Sequence, residues 1–403
     1  MKNKHIYILI AFLATVAAAC CLFSLGIDSR VYAESAEGSD EQTVDDSVDD
    51  LLDNLDLKGV QGIIATLSSN QLEVFGFGDI VSRIKAVISG EYENDFGSVI
   101  TYVLALLGAD IFEFLPMLIG CLAIVLAYSI VNSVKGRFAS DAIEKVVYFA
   151  FGTLAVSLVV GYFSAVMATA VKYVTSIKTQ INTIAPVLIT LMTAAGASAS
   201  AGVYSPSIAI LGSGMTNVII YIAFPALIMA LVFDIIGSVS SGIKLDKTSD
   251  FFRSACKWFL GTAFFIFVAV IGVSGITASV RDGISVRAAR FAVSKYVPVI
   301  GGYLSQGFDF VMAGNVLIKN ALGSSAVILI ILCAAPVLTK LAVFTLTLKL
   351  TAAISEPLGG DRLSGIMTSI SKSSSVIAAV VAAMTFLYIL FLSIVIGTGN
   401  IGL

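Results

Sequence analysis

The stretch SAVILIILCAAPVLTKLAVFTLTLKL, residues 325–350, holds no acidic residue, and its only charges are Lys340 and Lys349. A helix needs roughly 20 apolar residues to cross a hydrocarbon layer of about 30 Å, and this stretch exceeds that length. Five others match it, at 113–134, 146–170, 208–233, 258–280 and 376–397. Over the 403 residues, 58% are hydrophobic and 13% charged, a balance that soluble domains do not show. The sequence therefore predicts an all-α fold, a polytopic membrane helix bundle with six spans.

Two further stretches, 184–203 and 296–318, are apolar but broken. The first holds the small-residue tract Ala194 to Gly202, and the second holds Gly301, Gly302, Gln306, Asp309 and Gly314; Pro186 and Pro298 stand near their starts. These prolines belong to a recurring pattern. Pro116-Met-Leu precedes Gly152-Thr153 by 36 residues, Pro225-Ala-Leu precedes Gly261-Thr262 by 36, and Pro336-Val-Leu opens a third unit. The chain reads as two and a half internal repeats, with 184–203 and 296–318 as re-entrant or partial segments. Cytoplasmic loops are expected to be the basic ones. Six spans with an external N-terminus place Lys135, Arg137, Lys145, Lys244, Lys247, Arg253, Lys257, Arg362 and Lys372 on the inside. Eight spans are the alternative, and they turn the most basic loop outward.

The N-terminus follows the order of a secretory signal. Lys2 and Lys4 precede an apolar run from Ile6 to Leu25, and Val31-Tyr32-Ala33 offers small residues for cleavage after Ala33. An uncleaved first helix, or a lipoprotein modified at Cys20 or Cys21, is the other reading of these 33 residues. From Glu34 to Asp56 come ten acidic residues and no basic one, the composition of a solvated, disordered tail. Apolar residues at helical spacing over 57–97, interrupted at Gly76, Gly78 and Gly90, predict two short amphipathic helices. The expected domains are thus a signal peptide (1–33), an acidic tail (34–56), extracytoplasmic amphipathic helices (57–112) and a membrane domain (113–403).

Catalytic chemistry finds little support. His5 is the one histidine and lies in the signal, while Cys121, Cys256 and Cys333 are too far apart for a redox or zinc motif. Phosphate-loop, nucleophile-elbow and HExxH patterns are missing, and the GxGxxG match at Gly397 has no βαβ context. No enzyme activity, cofactor or metal is expected, and the net charge of −3 gives no case for nucleic acid. Ionisable residues in or beside the spans carry more weight, because charge at membrane depth faces a cavity or a partner. They are Glu113, Asp234, Asp309, Lys319, Lys340, Lys349 and Glu356. For those near predicted helix ends, a snorkelling side chain is the plain alternative. Residues 281–295 form a basic stretch, with Arg281, Arg287, Arg290 and Lys295 against a single Asp282, on the side the six-span scheme places outside.

Two parts of this sequence resemble a known family. Gly275-Ile-Thr-Ala-Ser-Val-Arg-Asp-Gly-Ile-Ser-Val-Arg-Ala-Ala-Arg-Phe, continuing through Val297-Pro298-Val-Ile-Gly-Gly to Lys319-Asn320 and Gly323, resembles the most characteristic block of the stage III sporulation protein AE family. Ile184-Ala-Pro-Val-Leu and Ser355-Glu-Pro-Leu with Asp361-Arg362 are similar too. The resemblance covers the chain from about residue 60 and leaves the acidic tail unmatched. It implies an endospore-forming bacterium and a protein of the mother-cell membrane around the forespore. There it would be a subunit of a channel or secretion-like complex that links the two cells and supports late forespore gene expression. A cytoplasmic ATPase, small membrane proteins and ring-forming proteins of the intermembrane space are the partners implied, besides membrane lipid. Residues for assembly or a conduit are then Arg281, Asp282, Arg287, Arg290, Pro298, Gly301, Gly302, Asp309, Lys319, Lys340, Glu356, Asp361 and Arg362. An independent permease for a small solute is the competing reading.

Overall fold

The computed structural model describes residues 51–398, apart from 53–54, 77, 91–95, 135–140, 240–244, 297–300 and 359. The signal and most of the acidic tail therefore lie outside the described residues, as does Pro298. Three short helices come first: α1 (Lys58–Ile64), α2 (Ser69–Phe75) and α3 (Ile80–Ile88). Two helices were expected in this region. The extra break comes from a capping box, in which the Ser68 hydroxyl accepts from the Gln71 N–H while the Gln71 side chain accepts from the Ser68 N–H.

Six long helices follow: α4 (Phe96–Val134), α5 (Asp141–Ala194), α6 (198–239), α7 (Asp246–Tyr296), α8 (Gly301–Ser355) and α9 (Asp361–Gly397). Each contains an apolar run long enough to cross a membrane, and these runs coincide with the six expected spans. The helices are much longer than the spans. At about 1.5 Å per residue, the 55 residues of α8 extend about 80 Å, more than twice a hydrocarbon core of about 30 Å. The bundle stands taller than the bilayer it would occupy.

The stretch 184–203 is a helix hairpin, and no separate segment is seen there. Helix α5 ends at Ala194 in a Schellman motif: the Ala197 N–H bonds the Met192 carbonyl at 2.9 Å and the Gly196 N–H bonds the Thr193 carbonyl at 3.0 Å. Gly196 has φ +83°, and a Cβ there would meet Met312 Cε at 2.8 Å and Val286 Cγ2 at 2.9 Å. Glycine is required on both counts. Within 296–318, Tyr296 ends α7 and the residues from Gly301 onward are the first turns of α8. The Pro-Xaa-Leu marks at Pro116, Pro225 and Pro336 fall in α4, α6 and α8, the first helices of three successive pairs.

Helix α8 is the axis. Its most apolar 18-residue window is 67% buried within the protein, against 24% for α7 and 28% for α4. Helices α4, α5, α7 and α9 pack around it, and α2 and α3 cover the remaining side. A proline inside a helix leaves the carbonyl four residues earlier without its donor. Pro336 frees the Leu332 carbonyl, and Gln71 of α2 supplies the missing bond through Nε2 at 2.8 Å. Arg83 of α3 is wholly buried, stacks 4.1 Å over the Phe75 ring and donates through Nε to Ser325 Oγ of α8 at 3.1 Å. Aromatic contacts finish the centre, with the Phe344 ring of α8 5.3 Å from Phe114 and 6.3 Å from Phe163.

The outer faces are apolar and open. Phe112, Tyr221, Trp258 and Phe265 are all more than 70% exposed, as expected of side chains that meet lipid. In a variant with Cys121, Cys256 and Cys333 replaced, the six-helix order predicts that a thiol at Ser285→Cys reacts with a membrane-impermeant reagent applied from outside. Thiols at Ser140→Cys and Ser240→Cys should stay protected until the membrane is permeabilised. The opposite pattern would invert the topology.

Candidate functional site

The described parts of the family-like block 275–323, in the last turns of α7 and the first turns of α8, meet the Gly196 turn through Val286 and Met312. After that turn, α6 begins at Ala197 without a side-chain cap of its own, so its first N–H groups need an acceptor from elsewhere. Asp282 of α7 provides it: Oδ1 accepts from the Ala199 N–H at 2.7 Å and Oδ2 from the Ser200 N–H at 3.0 Å. The carboxylate is buried, and its negative charge sits on the positive end of the α6 dipole. The single acidic residue of the basic stretch is thus the one that turns inward.

The same junction includes Tyr204, Gly275, Lys319 and Thr398. A side chain at Gly275 would run into the Tyr204 hydroxyl, so the glycine lets α7 cross α6 closely. Tyr204 and Thr398 hydroxyls are 3.2 Å apart, and the buried Lys319 ammonium donates to the Thr398 carbonyl at the end of α9. A cation at a helix C-terminus meets both the unsatisfied carbonyl and the negative end of the dipole. Four helices are joined here by a carboxylate at one helix start and an ammonium at one helix end.

Other expected residues are placed differently. Arg281, Arg287 and Lys295 are exposed along α7, Arg290 is half-buried, and Lys295 Nζ stands 5.0 Å over the Phe291 ring. Lys340 of α8 pairs with Glu113 of α4 at 2.6 Å, well away from the junction. Glu356 is exposed just past α8. Gly301, Gly302 and Asp309 lie in the first turns of α8, and Asp361 and Arg362 open α9; the side chains of these last three are outside the description.

Sequence reasoning assigned Arg253 to a basic loop. It is instead the hub of a second buried network at the opposite end, between α6, α7 and α9. Its guanidinium pairs with Asp234 of α6, reaches Asp250 Oδ1 at 2.7 Å and Ser249 Oγ at 3.1 Å, and bonds Ser373 Oγ of α9 at 3.2 Å. Asp234, at the end of an apolar run, was the available signal; its partner became visible only when the α6–α7 hairpin was formed. At that end Tyr148 also donates to the Ser238 carbonyl at 2.7 Å, tying α5 to α6.

These buried groups join helices, and among the described residues no group of three or more His, Cys, Asp or Glu is placed to hold a metal. The architecture defines a multi-pass, all-helical membrane protein whose polar interior is spent on helix-to-helix anchors. The description "Stage III sporulation protein AE" matches residues 79–399, and the chain belongs to that family. The chain is 27% identical over 285 residues to Stage III sporulation protein AE of Bacillus subtilis (strain 168), an alignment covering 70% of this chain and 71% of that protein. No solved structure matches.

Loss of one anchor is expected to show in stability. Asp282→Ala removes two bonds to helix N–H groups and should cost about 1–2 kcal/mol, with Asp282→Asn intermediate, as read from thermal unfolding in detergent. Arg253→Met strands a buried Asp234 and should cost about 3–5 kcal/mol; the double variant Asp234→Leu/Arg253→Met should recover most of that loss.

Proposed function

We propose that this protein is a core membrane subunit of a sporulation channel or secretion-like complex that connects mother cell and forespore and supports late forespore gene expression. It resides in the mother-cell membrane around the forespore, with its mature N-terminus outside the cytoplasm. The observation that carries the reading is membership of the sporulation family over 79–399 by a chain with six apolar helices. The character of the interior supports it: buried polar groups such as Asp282, Lys319 and Arg253 bind helix to helix, as an assembly component requires.

Partners in this reading are a cytoplasmic ATPase, small membrane proteins and ring-forming proteins in the intermembrane space. Charge distribution supports the assignment of sides. The C-terminal ends of α4, α6 and α8 and the starts of α5, α7 and α9 share one end of the bundle, and Lys135, Arg137, Lys244 and Lys247 fall between or beside these helix ends in the sequence. The basic face of α7, at the other end, then presents Arg281 and Arg287 to the intermembrane space for assembly.

Replacement of the native copy by Arg287→Glu/Arg290→Glu should leave membrane insertion intact and lower spore yield by about tenfold or more. Co-purification of the membrane partners should fall with it. Wild-type sporulation in that variant would sink the role given to this face. Transport of a small solute by the purified protein alone would favour an independent permease instead.

A further inference from the structure

Leu51 and Leu52 bring the start of the described chain onto the bundle. Leu52 is buried in the core, and the Leu51 side chain lies against α8, where a Cβ at Gly314 would meet its Cδ1 at 3.2 Å. The residues just before them, 34–50, carry eight acidic side chains and no basic one, and they close on Val44-Asp-Asp-Ser-Val48-Asp-Asp. Gly314 is two residues from Met312, which packs on the Gly196 turn beside Val286 of α7. An acidic segment is thus delivered to the end of the bundle where the basic stretch of α7 lies.

That stretch, 281–295, extends past the apolar run 258–280. Arg281, Ile284, Phe291 and Lys295 stand at i, i+3, i+10 and i+14, so they share one helix face, and Arg287 borders it. All five are exposed, Ile284 and Phe291 at 64% and 58%. Asp282 is the sole acid of the stretch, and its carboxylate is turned inward onto the start of α6. The outer face therefore combines three cations with two bare apolar side chains, and it takes its countercharge from another segment.

Reach and tethering favour the chain's own acidic segment. Residues 281–295 cover about 21 Å of helix. The 17 residues 34–50 extend to about 55 Å, enough to pass around α8, about 10 Å across, and lie along that face. Fixed at Leu51, they are present at an effective concentration of about a millimolar. Ion pairs that are each weak at an exposed surface then suffice when several form together.

We propose that residues 34–50 dock on the basic face of α7, with their carboxylates against Arg281, Arg287 and Lys295 and with Val44 and Val48 covering Ile284 and Phe291. The contact is made within one chain and does not rest on the assembly role proposed above.

The test uses the full chain in phosphatidylcholine nanodiscs, treated with a water-soluble carbodiimide, which joins a carboxylate to an amine touching it, followed by peptide mass mapping. Amide links from residues 34–50 to Lys295 are expected. Their yield should fall about fivefold or more in 1 M NaCl, where the screening length is about 3 Å. It should fall as far in Arg281→Glu/Arg287→Glu, two exposed positions whose exchange leaves Lys295 in place. Links to Lys58, Lys172 or Lys178 in place of Lys295 overturn the proposal, as does a yield that neither salt nor charge reversal lowers. Links found only between light and heavy isotope-labelled copies, mixed before reconstitution, overturn it in favour of docking on a second molecule.

Discussion

Helix α8 is the most enclosed of the six, and on its buried face no water answers a polar group. The groups its own backbone does not satisfy are matched by neighbours, and the matches determine where those neighbours lie. The carbonyl freed by Pro336 takes Gln71 and so holds α2; Ser325 takes Arg83 and holds α3. Lys340 takes Glu113 from α4, Lys319 takes the end of α9, and Thr345 takes Ser374 of α9 at 2.9 Å. Apolar packing supplies contact area around α8, but a greasy helix can slide or rotate against another with little penalty. The polar matches fix the register.

Helix α7 shows the complementary case. It is the least buried of the six, yet one charged residue near each end anchors it. Asp282 caps α6 at the Gly196 turn, and Arg253 grips Asp234, Ser249, Asp250 and Ser373 at the other end. Between these points its outer face, with Phe265, Val270 and Val273, is free for lipid or for another subunit. Because a carboxylate and a guanidinium are strongly directional, two such contacts hold a peripheral helix that area alone would hold loosely.

The spans were legible in the sequence because lipid demands long apolar runs, and hydropathy reports that demand directly. Helix ends were not, since a helix continues past the membrane wherever neighbouring helices support it; 184–194 and 301–318 are helical for that reason. The tract Ala194 to Gly202 looked uniformly small, and composition cannot show that one member, Gly196, has positive φ while the rest are ordinary helix. In the family-like block, Asp282 and Lys319 were legible as charges in unfavourable places, and the structure gives each a helix terminus to satisfy. Arg253 was missed because it lies near other charges that a loop count absorbs, and its burial depends on Asp234 and on Ser373, far away in the chain.

Helix α6 contains two π-helical turns, Ile210–Met215 and Ile219–Ala223, between an N-terminus held by Asp282 and a C-terminal part held through Asp234. An α-helix rotates about 100° per residue, so one added residue would swing everything beyond it to a new face. A π turn takes in an extra residue without that swing. With both ends anchored, α6 has a fixed span to cover, and its wide turns are where surplus chain is stored. In related sequences, single-residue insertions and deletions are therefore expected to collect at 210–223, leaving the two anchors in register.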